Sequence, residues 1–599
     1  MKNFVTSMLG ALVALVVFTF CGLLLFVGIV GAIVVASVKN AGPSEKFENG
    51  SYLVFDLSTD ITDAPPAFDL GALSSSHEDS LQLRAVIRTL NAAATDDRIA
   101  GILMKGSLEP SDFGSGYAAL AEVRSALSRF RNAGKPVKAF LEAATTRDYY
   151  LASAADQITI DPYGMIFMPG LSSQPMFFAG AFEKYGVGVH VTRVGKYKSY
   201  VEQYIRKDMS PESREETQRL LDDVWSSLLS DIGRARKVSA SRIQAVVDAE
   251  GFIRAEAAIS SHLADRSAYL DQVLDELKAE TGRKGSKRGF KQITLGEYAK
   301  LQPEVERSSG KAIGIVYAEG DIVDGEGGLG EVGGAAFSRE LRKMREDDNI
   351  KAVVLRVNSP GGSATAAETI QREIRQTRKV KPVIVSMGTY AASGGYWIST
   401  YANRIFAEPT SITGSIGVFG VQFDVQKLAG DFGITFDRVK TAKYADLPTL
   451  TRPMSDDELA VFQRMVDWIY GQFIAKVAES RKLKAADVEE IAQGRVWSGK
   501  EALKLGLVDE MGGLGDAIRY AAKQADLRGY RIEEYPKKKA LAEMLADFLG
   551  KDRPESTRSA STGFIGLLTK RIDTEINRMK AFNDPKGIYA RLPVEISIR

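Results

Sequence analysis

Two residue types that often carry chemistry are nearly missing from this 599-residue chain: it has one cysteine and three histidines. A lone Cys21 excludes an internal disulfide and a thiolate metal cluster. His77, His190 and His262 all fall in the first half, with no HExxH and no closely spaced second ligand, so zinc chemistry is not indicated. None of the three sits in an evident catalytic context, and each reads as an ordinary surface or core histidine. An excess of either charge is also lacking. Lys and Arg number 78 against 76 Asp and Glu, a net +2, which offers no broad basic field for nucleic acid.

Charge is absent altogether from Phe4 to Val38, where Leu, Val, Ile, Phe, Ala and Gly predominate. A helix needs about 20 apolar residues to cross a bilayer, whereas a signal-peptide core has about 7–15. The run is too long for a simple cleavable signal, and Ala36-Ser37 make a poor cleavage site. Residues 1–40 therefore read as an uncleaved membrane anchor, with Cys21 a small apolar filler. Lys2 and the α-amino group before the run, and Lys39 and Lys46 after it, are too nearly balanced to set its orientation.

The remainder is ordinary globular sequence, 45% hydrophobic and 26% charged, and too long for one core. It is duplicated. Asp96-Asp97-Arg98-Ile99 answers Asp347-Asp348-Asn349-Ile350, and Lys135-Pro136-Val137 answers Lys381-Pro382-Val383. Tyr149-Tyr150-Leu151 answers Tyr396-Trp397-Ile398, Met209-Ser210 answers Met454-Ser455, and Leu263-Ala264-Asp265 answers Leu507-Val508-Asp509. All five matches keep one order, with offsets drifting only between 251 residues (99 to 350) and 244 (265 to 509). Two domains follow, residues 45–300 and 305–535, then a tail, 536–599, that reads as helical. The basic stretch Arg283–Arg288 between them reads as a solvated loop.

In each half short apolar runs alternate with amphipathic stretches. Ile313–Tyr317, Ala352–Val357 and Val383–Met387 predict buried strands, and Ala366–Arg378 predicts a helix between two of them. Such alternation implies an α/β fold with parallel pairing.

Two glycine-rich turns in the second half point to chemistry. Asn358-Ser359-Pro360-Gly361-Gly362-Ser363 follows a strand and precedes a helix, a setting that can aim backbone N–H groups at a developing anion. Ala391-Ala392-Ser393-Gly394-Gly395-Tyr396 follows the next strand, leaving Ser393 among small neighbours with the Gly394 N–H beside it. The first half has Leu108-Glu109-Pro110 and Thr146-Arg147-Asp148 at the matching places, so only one copy keeps the small-residue geometry. A serine nucleophile without histidine needs another base, and a buried lysine with a depressed pKa can serve. Spacing alone leaves Lys196, Lys198 and Lys443 open. Gly325-Glu326-Gly327-Gly328-Leu329-Gly330 fits GxGxxG, but the following strand ends in Asn358-Ser359 with no acidic residue for a ribose. A rim loop suits it better than a nucleotide site.

The segments GKYKSYVEQY, DDNIKAVVLRVNSPGGS, MGTYAASGGYWIST and TGSIGVFG, in that order behind an anchor and across two repeats, resemble the long, duplicated form of the signal peptide peptidase A (protease IV) family. The resemblance covers nearly the whole chain. It implies two tandem ClpP/crotonase-like spiral domains behind one transmembrane helix, and a Ser–Lys dyad shared between the repeats. Ser393 would be the nucleophile and Lys198 the general base. Gly361 and Gly394 would form the oxyanion hole, Ser415 would orient the lysine, and no metal or cofactor is needed. It further implies a homotetramer on the outer face of the bacterial cytoplasmic membrane that degrades cleaved signal peptides and other apolar peptides, with no nucleic-acid partner. Tyr200 and Gln203-Tyr204 depart from the smaller residues and proline expected there. A crotonase-like acyl-CoA enzyme and a non-catalytic membrane scaffold are the alternatives.

Overall fold

A computed structural model describes residues 47–65, 80–107, 114–302, 310–328, 330–536, 583–584 and 587–592. The expected anchor, His77 and Leu108-Glu109-Pro110 lie outside them. Among the described residues no helix is long and apolar enough to cross a membrane.

The apolar runs become parallel strands, because only a sheet covered on both faces buries every side chain of such a run. In the first half Ser51–Asp56, Ile99–Lys105, Val137–Thr145 and Gln157–Phe167 lie side by side in parallel. The second half repeats this with Ala312–Glu319, Ile350–Ser359 and Val383–Ala392, extended by Ile412–Gly414. Helices Gly334–Glu346 and Ala364–Arg378 pack on one face of that sheet and Leu514–Gln524 on the other, so Ile350–Ser359 is buried almost throughout.

The duplication is also visible in local detail. Helices Pro211–Arg236 and Asp456–Arg481 are both 26 residues long. Ser210 and Ser455 cap their first turns, and both end on a left-handed lysine, Lys237 at φ 57° and Lys482 at φ 58°.

Two features fuse the halves. Strand Gly188–Arg193 of the first pairs antiparallel with Phe419–Asp424 of the second, from Arg193 opposite Phe419 to Gly188 opposite Asp424. Arg356, fully buried mid-strand, donates through Nε to Asp63 Oδ1 at 2.7 Å and pairs through Nη1 with Glu122 Oε1 at 2.9 Å, both first-half carboxylates. Burial alone would lower the Arg356 pKa, but Asp63 and Glu122 outweigh it and hold the guanidinium charged.

Most of the tail, and with it most of the helical expectation, lies outside the described residues. Near its end Ile588–Arg591 forms a strand. Ile-Tyr-Ala-Arg is a short segment with a β-branched and an aromatic residue, and it finds two open strand edges to pair with, which outweighs weak helical propensity. The resulting sheet runs Glu331–Gly333, Asp321–Val323, Gly361–Ser363, Ile588–Arg591, Phe419–Asp424, Gly188–Arg193.

Candidate active site

Strand Val383–Ala392 delivers Ser393 into a tight turn at φ 55°, outside the regions a serine ordinarily prefers. Its conformation is held from both sides: the Ser393 N–H donates to Gly414 O at 2.8 Å, and its carbonyl accepts from the Trp397 N–H at 2.7 Å. The adjacent glycines allow the Asn358–Gly362 turn to approach. A Cβ on Gly395 would stand 2.6 Å from Ser359 O, and one on Gly394 would stand 3.1 Å from the Gly361 Cα.

Lys198 arrives from the other half. After strand Gly188–Arg193 the chain turns at Gly195 (φ +97°), where the Tyr197 N–H donates to Gln493 O at 3.0 Å. Lys198 then enters a slot that exists only because Gly417 and Gly494 lack side chains. A Cβ on Gly494 would lie 2.8 Å from the Lys198 Cβ, and one on Gly417 would lie 3.3 Å from its Cδ. The amine ends 2.8 Å from Ser393 Oγ, 2.8 Å from Ser415 Oγ and 3.3 Å from Ser415 O. Lys198, Ser393 and Ser415 are all fully buried.

Burial holds the Lys198 pKa well below the usual lysine value and outweighs Glu216, which acts against it. Glu216 is itself pushed well above the carboxylate range by burial, so it adds little negative charge to stabilise an ammonium. The contacts suit a neutral amine, which has two N–H donors and one lone pair. The Ser393 hydroxyl can donate to the lone pair while the N–H groups go to Ser415 O and Oγ.

The other two candidate lysines are elsewhere. Lys443 is exposed and bridges Asp457 at 2.5 Å, and Lys196 lies over the Tyr197 ring at 5.0 Å. His190 pairs with Asp424 at 2.9 Å, and His262 sits at φ 61° beyond the end of a helix. In the first half, the turn matching Ser393 is a closed helix cap. Asp148 Oδ2 accepts from the Thr145 N–H, the Thr145 hydroxyl and the Ser107 hydroxyl, each at 2.8 Å.

Gly361 requires a correction. Its N–H turns back to Ser359 Oγ at 3.2 Å, so its contribution is its missing side chain rather than a free donor. The next nitrogen, that of Gly362, packs close by, 3.2 Å from where a Gly394 Cβ would stand. The doubled glycine after Pro360 was the only sequence sign of this, and nothing in the local pattern singled out Glu216. A Gly361→Ala side chain would meet Gly394 N at 2.6 Å from a backbone at φ +101°. We expect it to lower kcat by about 10²-fold or more and to cost about 1–3 kcal/mol of stability, read by peptide hydrolysis and urea unfolding.

Comparison with known proteins adds the following. The model of peptidase family S49 matches residues 129–284 and 375–528. Protease 4 of Salmonella typhi is 35% identical over 587 residues, covering 94% of either chain. The chloroplastic serine protease SPPA of Arabidopsis thaliana is 32% identical over 503 residues, 81% of this chain and 71% of that one. A putative signal peptide peptidase SppA from Enterococcus faecium is 34% identical over 200 residues, 33% of this chain and 58% of that one.

Proposed function

This chain belongs to peptidase family S49 and is a serine peptidase, and from that premise we propose that it cuts peptides through an acyl-enzyme on Ser393, with Lys198 as general base. The observation that carries the proposal is the 2.8 Å contact between a buried lysine amine and a serine hydroxyl held in a strained turn.

In the first step neutral Lys198 takes the Ser393 proton as Oγ attacks the peptide carbonyl. The N–H groups of Gly362 and Gly394 receive the oxyanion. The Lys198 ammonium, steadied by Ser415 O and Oγ, then protonates the leaving amine. Water enters, gives its proton to Lys198 and attacks the ester carbonyl, which frees a carboxylate and restores the serine. An acyl-CoA enzyme or a scaffold has no use for an amine buried at that cost against a hydroxyl.

Signal peptides and similar apolar segments are the proposed substrates, consistent with the Enterococcus relative's name. The uncharged Phe4–Val38 run supports attachment to a membrane, and the family resemblance, not the charge pattern, adds the outer face of the bacterial cytoplasmic membrane to the proposal. Each half is read as a ClpP/crotonase-like spiral domain. Exposed Phe432, Ile434, Val439 and Leu450 support subunit contact in a homotetramer.

The test is hydrolysis of an apolar peptide by the full chain in detergent, with Ser393→Ala as control. A pH profile tests the base separately. Lys198 works only when neutral, and burial depresses its folded pKa, so kcat/KM should fall as pH drops through that depressed value. An alkaline inflection near the ordinary 10.5 would remove Lys198 from the role. Stability follows the same group. Between the folded value and 10.5 the unfolded chain binds the extra proton, so this lysine makes the fold more stable as pH rises across that window.

A further inference from the structure

Ser393 is fully buried, although a peptidase nucleophile must meet its substrate. The segment seated over this region is strand Ile588–Arg591, an extended peptide inserted between Gly361–Ser363 and Phe419–Asp424 and antiparallel to both. Strand insertion of this kind is how extended peptides are commonly held: backbone bonds give affinity, and alternate side chains give selectivity.

The register shows which carbonyl of the strand lies against the two glycine turns. Arg591 lies opposite Gly361 and Ala590 opposite Gly362, and the Leu592 N–H donates to Pro360 O at 2.8 Å. Pairs two residues apart in an antiparallel ladder are of the same type, so Gly362 and Ala590 form a hydrogen-bonded pair, with the Gly362 N–H directed at Ala590 O. That oxygen also packs on both glycine turns. It lies 2.2 Å from where a Gly361 Cβ would stand and 3.0 Å from where one on Gly394 would.

With Ala590 so placed, its neighbours Tyr589 and Arg591 share the opposite face of the strand. Tyr589 lies 5.9 Å from the Phe419 ring, which stacks on Tyr200 at 5.5 Å. The Arg591 guanidinium sits 5.4 Å over Tyr200 and pairs with Asp321 at 3.0 Å.

Building on the peptidase reading, we propose that the groove selects extended peptides with a small residue at the bond to be cut, an aromatic residue immediately before it and a basic residue immediately after. The Tyr200–Phe419 shelf and Asp321 determine that selectivity, and the C-terminal strand rests in the groove as an internal copy of the preferred sequence.

Two synthetic peptides test this on the full chain: one with the sequence of residues 586–594, the other with its arginine replaced by alanine. Wild type should cut the first after the alanine, with kcat/KM on the order of tenfold higher than for the second. Asp321→Asn should bring that ratio close to one, and Asp321→Lys should favour a peptide with glutamate in the arginine's place. Arg591→Ala, which loosens the internal strand, should raise cleavage of the first peptide severalfold. Because the ratio is taken within one enzyme, partial misfolding cannot imitate the change. Equal cutting of both peptides, or a ratio untouched by Asp321→Asn, overturns the proposal and leaves the peptidase reading standing. If even an apolar peptide stays whole with wild type, the peptidase reading fails and this proposal falls with it.

Discussion

Ser393→Ala and Lys198→Ala should each lower kcat for peptide hydrolysis by on the order of 10⁴-fold or more, and the double variant should be little worse than either. The non-additivity follows from the 2.8 Å contact, since each group has no route to the acyl-enzyme without the other. Lys198→Met should be equally inactive yet no less stable, because it fills the slot between Gly417 and Gly494 without burying an amine. Lys198→Arg should not rescue, since a guanidinium stays charged and cannot accept the serine proton. Circular dichroism and sedimentation would establish that the variants remain folded and assembled. A Lys198→Ala enzyme with near-normal turnover would sink the assignment, because Lys196 and Lys443 are both held away from Ser393.

The second large effect concerns stability. Arg356→Met should destabilise the protein by about 3–5 kcal/mol, because it strands Asp63 and Glu122 without the cation that offsets their burial. Adding Asp63→Asn and Glu122→Gln should recover much of the loss, since the uncompensated charges go with them. Urea unfolding is the measurement, and a loss below about 1 kcal/mol for Arg356→Met would show that the network is dispensable. Activity should fall too, because the same strand ends in the Asn358-Ser359 that opens the oxyanion turn.

The sequence exposed the sheets because parallel strands buried on both faces are written as unbroken apolar runs. Ala352–Val357 became Ile350–Ser359, and Ala366–Arg378 became helix Ala364–Arg378. Ser393 was legible from its small neighbours and from the contrast with its repeat partner. Lys198 was not legible from spacing, because what selects it is a pair of glycines more than 200 residues away, Gly417 and Gly494. Resemblance supplied that choice. That the Gly361 N–H turns toward Ser359 was not legible either, because it depends on how the Asn358–Gly362 turn closes rather than on residue type. The strand at Ile588–Arg591 was hidden for another reason: four residues have no periodicity of their own, and their conformation comes from the two edges they join.

The dyad spans the duplication, with Lys198 in one half and Ser393 in the other, and this bears on how the protein is made. A nascent chain of 300 residues already has its base and a complete first sheet, but no nucleophile and neither glycine wall of the lysine slot. It is chemically inert however well it folds. Cleaving power arises only when the later-made half closes around the earlier one, so a cell translating this chain carries no active protease until synthesis is nearly finished.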